Sequence, residues 1–246
     1  MASDDVRVTA PSPLLVSQLG LARLDYHVRV TTTMDVAHAL AEEGAPAGTL
    51  VLASSQAAGR GRSGKSWTSE PDAGLWCTLI ERPRDARALE VLALRVGLHL
   101  ADALAPLVDG AVQLKWPNDL YVHDRKLGGI LIEVRWRDAR PEWVAIGVGI
   151  NRVVPLGYPD VAHVRPGTSR DMLLTVVAPA LRAAASTDGV LTARECEAWA
   201  ARDLAVGRRV LSPAQGTVQG ITSDGAIVIL TGTGPIACHS GSLIFT

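Results

Sequence analysis

The chain has 246 residues, enough for one large domain or for a large and a small one. Apolar residues make up 48% of it, the ordinary share for a chain that buries a real core. With 24 lysines and arginines against 25 aspartates and glutamates the net charge is −1, so no global basic field recruits nucleic acid or an anionic membrane, and any anion site must be built locally.

Met1-Ala2-Ser3-Asp4-Asp5 lacks the basic start and apolar run of a secretory signal. Residues 1–24, with Pro11 and Pro13, carry little pattern and read as a tail or edge segment. Thr31-Thr32-Thr33 then precedes an apolar periodic run through Val36, Ala37 and Leu40; a threonine caps this predicted helix, Asp35 suits its first turn and Gly44 ends it. Thr49 to Ser54 is a predicted buried strand, a polar glycine-rich loop runs from Gln56 to Trp67, and Leu75 to Ile80 is the next strand. Ala86 to Leu107 repeats apolar residues at helical spacing and is the longest predicted helix; Glu90, Arg95, His99 and Asp102 interrupt it, so it is no membrane span.

Val112 to Trp116 reads as a strand running into the turn Pro117-Asn118-Asp119. Leu120 to Val122 and Gly129 to Trp136 are expected as the arms of a hairpin around His123 to Lys126, and Trp143 to Ile150 as a further strand. Helices are expected near Ser169 to Ala185 and Leu191 to Asp203. After Val206 short β runs alternate with glycine-containing turns (Arg209–Leu211, Thr217–Ile221, Ala226–Leu230, Ile236–His239, Leu243–Phe245), the pattern of a small β-barrel. Cys77, Cys196 and Cys238 form no CxxC pair and read as incidental thiols of a reducing cytoplasm, and the histidines show no metal-ligand spacing, so no protein-held metal is expected.

Three stretches carry candidate chemistry. Gly59-Arg60-Gly61-Arg62-Ser63-Gly64-Lys65-Ser66-Trp67 sets cations among glycines that let a backbone approach a ligand, and arginine forks fit phosphate or carboxylate oxygens. It is neither a P-loop nor a dinucleotide fingerprint, and a solvated basic loop is the alternative. In Lys115-Trp116-Pro117-Asn118-Asp119 a lysine leaves a strand beside a proline turn; a plain hairpin lysine is the alternative. In Lys126-Leu127-Gly128-Gly129-Ile130 a lysine precedes paired glycines, which alone also describes a turn. Each block sits where a strand meets a loop, the place where function concentrates.

Taken together, GRGRSGKSW, KWPND, the lysine eleven positions after Lys115 followed by LGGILIE, and GVGIN at Gly147 to Asn151 resemble the signature blocks of biotin protein ligases, in that family's order. The resemblance implies an α+β fold of the class II synthetase-like kind. A mixed central sheet flanked by helices makes a catalytic domain over residues 25–204 after an N-terminal extension of 1–24, and a small SH3-like β-barrel follows over 205–246. It implies ATP-dependent formation of biotinyl-5′-AMP, with magnesium as activator, then transfer of biotin to a lysine of a biotin carboxyl carrier domain. Lys126, Arg62 and Lys115 are its implied catalytic cations. Thr32, Thr33, Gln56, Gly59, Arg60, Gly61, Arg62, Lys126, Gly128 and Gly129 are implied to face biotin or its adenylate, and Arg60, Arg62, Lys65, Trp67, Lys115, Asn118 and Asn151 the nucleotide. The chain departs from the pattern at Met34, where many relatives carry asparagine, which leaves only a backbone contact to ligand there, and at Lys65, which replaces a common arginine. About twenty-five residues precede the implied core, against roughly sixty in the DNA-binding domain of some relatives, so no repressor function is expected, and the near-neutral charge argues against a nucleic-acid or membrane partner. The resemblance admits a homodimer. A lipoate ligase of related fold and a non-catalytic ligand-responsive protein are the competing readings; the full GRGRSGKSW block and the terminal β module favour biotin.

Overall fold

The computed structural model describes residues 13–83, 85–155 and 157–246; what the sequence suggested for residues 1–12 lies outside them. A short helix α1 (Pro13–Gln18) lies inside the stretch expected as a tail or edge segment, and its Leu15, with Leu19 just after it, enters the main core. β1 (Arg23–Val30) was not legible in advance. It is the edge strand of the central sheet, partly exposed along its whole length, so no apolar alternation announces it. It pairs in parallel with β2 (Thr49–Gln56), and helix α2 (Thr33–Glu42) makes the crossover between them. Thr32 caps α2 by accepting from Met34 N at 3.3 Å, and Gly44 leaves the helix with φ 88°.

The predicted loop 56–67 contains a small hairpin of β3 (Gly59–Arg60) and β4 (Ser66–Trp67) around a 3₁₀ turn at Arg62–Gly64. β5 (Gly74–Glu81) follows. The expected single helix 86–107 is broken: α3 (Ala86–Glu90) and α4 (Leu92–Leu104) meet at Val91, whose φ of −107° and ψ of 1° leave the helical region, and the chain tightens into a 3₁₀ turn at Ala105–Leu107 around Pro106. β6 (Gln113–Lys115), β7 (Asp119–Val122), β8 (Arg125–Arg137) and β9 (Arg140–Asn151) complete the sheet, in the order β1-β2-β5-β9-β8-β7-β6, antiparallel everywhere except β1·β2. The hairpin expected around His123 to Lys126 turns on His123 and Asp124 alone, both with positive φ (51° and 57°) as a tight primed turn requires. Lys126 is therefore a strand residue. The register slips from Leu120↔Gly128 to Tyr121↔Lys126, making the fully buried Leu127 the extra residue of a bulge.

α4 packs with α5 (Arg170–Ala185) over one face of the sheet, burying Leu50, Leu52, Leu75 and Leu79 with Leu100, Leu104, Leu174 and Leu181. α2 covers the other face through Ala37, Ala41, Val51, Ile80 and Trp143. α6 (Ala193–Ala200) carries a full capping box between Thr192 and Glu195. The chain ends in a five-stranded antiparallel sheet of β10 (Arg209–Ser212), β11 (Gly216–Ile221), β12 (Ile227–Thr231), β13 (Gly234–Cys238) and β14 (Ile244–Phe245), in the order β13-β12-β11-β10-β14. Its Val210, Val218, Ile227 and Ile229 join the same core as α4, and Trp116 donates from Nε1 to Gly225 O at 3.0 Å, so the terminal module is seated against the strand that carries Lys115. No described helix is long and apolar enough to cross a membrane.

Candidate functional site

A cleft of about 150 Å³ opens between the N-terminus of α2, the β3–β4 hairpin and the middle of β5, β8 and β9. Its inner end is polar and already wired. Gln56 Oε1 accepts from Thr33 N at 2.8 Å and from Thr33 Oγ1 at 3.2 Å, Gln56 Nε2 donates to Ser69 Oγ at 2.7 Å, and Thr33 and Thr78 share a 2.8 Å hydroxyl contact. The Thr33 N–H fixes which side of the Gln56 amide carries the oxygen. Thr32 lines the same end. Met34 lies beside it, buried, with Cε packed so close to Gly147 that a Cβ there would stand 2.7 Å away.

The outer end is cationic. Arg60, Arg62, Lys65 and Lys126 all line it, with Gly61, Gly129, Trp67 and Asn118. Arg60 pairs with Asp35 at 2.8 Å and with Glu133 at 3.4 Å. Arg62 donates to Asn118 Oδ1 at 3.4 Å and to Gly241 O at 3.3 Å. Burial pulls the Arg62 guanidinium below its ordinary pKa, and the Asp119 carboxylate works against that shift. Lys126 Nζ sits 2.7 Å from Asp119 Oδ1 and 5.1 Å from the Trp67 ring. The tip of the hairpin holds Ser63 in the left-handed region at φ 55°, and Gly61 N donates to Lys65 O at 2.7 Å, which folds the cations inward.

Trp67 has a role the sequence left open between stacking and anchoring. Its indole lies on the backbone of Gly149, where a Cβ would come within 2.7 Å of the ring, and meets Trp76 edge-on at 6.3 Å. Its Nε1 is buried without a hydrogen-bond partner.

Four expected residues stand beside the cleft, outside its wall. Gly59 is closed in by the hairpin, with Trp67 O 2.4 Å from where a Cβ would be, and Gly128 by the Gly149 carbonyl at 2.6 Å; both serve close backbone packing. Asn151 is buried and donates from Nδ2 to Lys126 O at 3.2 Å and Ala162 O at 3.1 Å, so it braces the strand behind Lys126. Lys115 leaves β6 half-buried, its Nζ 5.8 Å from the Tyr121 ring and 5.0 Å from the Phe245 ring. Burial lowers its pKa, Asp119 resists that, and Lys126, Lys65 and Arg208 reinforce it, so Lys115 belongs to the same electrostatic cluster. Sequence reasoning missed Asp35, Asp119, Glu133 and Ser242. Asp119 lay inside a quoted block, whereas nothing in the sequence pointed to Ser242, which reaches the cleft from the terminal module. Among the described residues no group of three or more His, Cys, Asp or Glu side chains could hold a metal ion; Asp119 is the carboxylate that lines the cleft.

The model of the biotin/lipoate A/B protein ligase family matches residues 26–151, which include α2, the hairpin and all strands of the cleft. The chain belongs to the biotin/lipoate A/B protein ligase family. It is 32% identical over 204 residues to the biotin–[acetyl-CoA-carboxylase] ligase of Paracoccus denitrificans, covering 73% of this chain and 82% of that one. It is 37% identical over 139 residues to the bifunctional ligase/repressor BirA of Bacillus subtilis (strain 168), covering 56% of this chain and 43% of that protein, and thus spans less than half the length of that relative. The biotin protein ligase from Aquifex aeolicus in complex with biotin and ATP superposes with a TM-score of 0.71 at 24% identity over 92% of this chain and 99% of that one. This ligase-family member therefore shares the fold seen there: a mixed sheet with helices and a small terminal antiparallel sheet.

Proposed function

We propose that this chain is a biotin protein ligase that joins biotin to ATP as biotinyl-5′-AMP and passes the biotinyl group to a lysine of a biotin carboxyl carrier domain. The observation that carries the reading is that Arg60, Arg62, Lys65 and Lys126 share one cleft whose far end is the Thr32–Thr33–Gln56 polar set. A neutral ring with hydrogen-bonding edges suits that inner end, and its carboxylate tail then points at the cations.

In the first step a biotin carboxylate oxygen attacks the α-phosphorus of ATP and pyrophosphate leaves. Both reactants are anions, so the barrier falls chiefly through cations already in place when the charge develops. Lys126 holds the carboxylate and the bridging oxygen of the mixed anhydride. Arg62 and Arg60 face the carboxyl and phosphate oxygens as the hairpin closes over them. Lys65, Lys115, Trp67 and Asn118 serve the nucleotide side, and Asn151 positions Lys126 from behind. Magnesium would come with ATP, held by phosphates and water with Asp119 as the nearby carboxylate, and would neutralise phosphate charge. In the second step the acceptor lysine's amine attacks the acyl carbon and AMP leaves. The nucleophile is the partner's, so the cleft needs no serine or cysteine base pair; Cys77 at its wall is buried and its thiol pushed up to about 12, which keeps it protonated.

The test is exchange of labelled pyrophosphate into ATP with biotin or lipoate offered separately, followed by transfer to a carrier domain. Exchange with biotin and a matching mass shift on the carrier are expected. Exchange with lipoate alone assigns the chain to the other branch of the family, and no exchange with either acid overturns the ligase reading.

A further inference from the structure

Lys115 and Lys126 are held in opposite ways. Lys126 has a carboxylate, Asp119, at 2.7 Å. Lys115 has no ion-pair partner among the described residues; it rests between two rings, with Phe245 at 5.0 Å and Tyr121 at 5.8 Å. On β7 the residue directly opposite Lys115 is Asp119, whose carboxylate is taken up by Lys126, and Tyr121 is the diagonal neighbour, paired with Gln113. Phe245 comes from β14 in the terminal module and is the chain's only phenylalanine. It is partly buried, fixed in register with Val210, and gripped by a second cation: Arg208 Cζ lies 4.0 Å from its centroid and is itself tied to Asp124 at 3.0 Å.

The physical difference matters. A carboxylate orients an ammonium but cancels its charge, whereas a ring face orients it and leaves its charge available to an incoming anion. A lysine side chain is otherwise floppy, with several free rotors, and loses much entropy when a phosphate fixes it. The same module adds Ser242 to the cleft wall and offers Gly241 O to Arg62 at 3.3 Å.

We propose that Phe245 is a positioning residue for Lys115: its ring, anchored by Arg208, pre-orients the ammonium toward the nucleotide phosphates and so couples the terminal β module to ATP binding. The inference rests on the ligase reading for its substrate. Phe245 touches no reacting atom and acts through Lys115.

The experiment is a double-mutant cycle over Phe245→Leu and Lys115→Ala, read by ATP affinity in calorimetry and by KM for ATP and for biotin in pyrophosphate exchange, with Phe245→Tyr as the conservative control. Phe245→Leu keeps apolar volume and loses the ring face, so ATP affinity should fall about fivefold while biotin KM and melting temperature stay put, and Phe245→Tyr should restore it. In the Lys115→Ala background Phe245→Leu should change nothing further. Equal losses in both backgrounds, or a loss shared by ATP and biotin, overturn the inference. ATP binding without exchange in the unaltered protein sinks the ligase reading while the affinity cycle still decides Phe245; no ATP binding at all sinks both.

Discussion

Lys126 Nζ and Asp119 Oδ1 lie 2.7 Å apart across β7 and β8, and this pairing sets how the cleft meets an anion. The bulge at Leu127 brings Lys126 opposite Tyr121 and Gly129 opposite Asp119. The ammonium is thereby aimed before any ligand arrives, and a substrate carboxylate must compete with Asp119 for it. If Lys126 holds the bridging oxygen of the mixed anhydride, its contribution is largest in the transition state. Lys126→Ala should cut biotin-dependent pyrophosphate release by about a hundredfold or more, the usual loss for removing one such donor, with little change in melting temperature. Near-normal release would take Lys126 out of the reaction.

Arg62 reaches two elements far apart in sequence, Asn118 and Gly241, and so pins the hairpin over the cationic end of the cleft. Arg62→Gly removes both contacts and, on the ligase reading, the cation proposed to retain the acyl-adenylate. The expected result is escape of biotinyl-5′-AMP and labelling of bystander lysines when the variant is incubated with ATP, biotin and an unrelated protein. Label confined to the carrier would end the retention argument.

Gly149 tests whether Trp67 shapes the cleft. A methyl group there would meet the indole at 2.7 Å, and the ring has Gly129 and Trp76 on its other contacts. The indole must move toward the cation that faces it, Lys126 at 5.1 Å. Gly149→Ala should therefore destabilise the protein by about 1–3 kcal/mol, as overpacking does, and weaken biotin binding about tenfold in calorimetry. Unchanged affinity would show that Trp67 can yield away from the cleft.

Most of the fold was legible because burial writes itself into sequence as period. β2 and β5 are buried along nearly their whole length, α2 carries its cap and stop residues, and the terminal strands alternate with glycine turns. β1 failed because an edge strand lies partly exposed on both faces. The break at Val91 failed because the apolar period runs straight through it, while the backbone departs there for reasons of packing that no local signal carries. The cleft was legible as blocks of residue types, yet the carboxylates that pair with its Arg60 were not: Asp35 and Glu133 sit in stretches that read as ordinary helix and strand, and only the fold brings them to Arg60. The family resemblance marks Lys115 as a catalytic cation, but the Phe245 ring that lies 5.0 Å from its ammonium is more than a hundred residues away in sequence.

A last prediction concerns stability rather than chemistry. Arg95 on α4 is fully buried, donates to Glu195 at 2.6 Å, and also donates to the carbonyls of Thr187, Gly189 and Val190, so one guanidinium fastens the segment between α5 and α6 to the core. Desolvation raises the Glu195 pKa, but the hydrogen bonds from Arg95 and Thr192 outweigh it and hold the carboxyl below its ordinary value of 4.5. A carboxyl whose folded pKa is depressed adds stability above its unfolded pKa and loses it as pH falls through the folded one. Glu195→Gln leaves the Arg95 charge buried without its counter-ion, so at pH 7 it should cost about 3 kcal/mol. Below about pH 4.5 the wild type begins to lose the same contribution, and the two proteins should converge. Urea unfolding of both at pH 7 and at pH 4 or below measures this directly. Curves that stay equally far apart across the whole range would mean that Glu195 does not titrate with folding, and that the link owes its strength to the carbonyls alone.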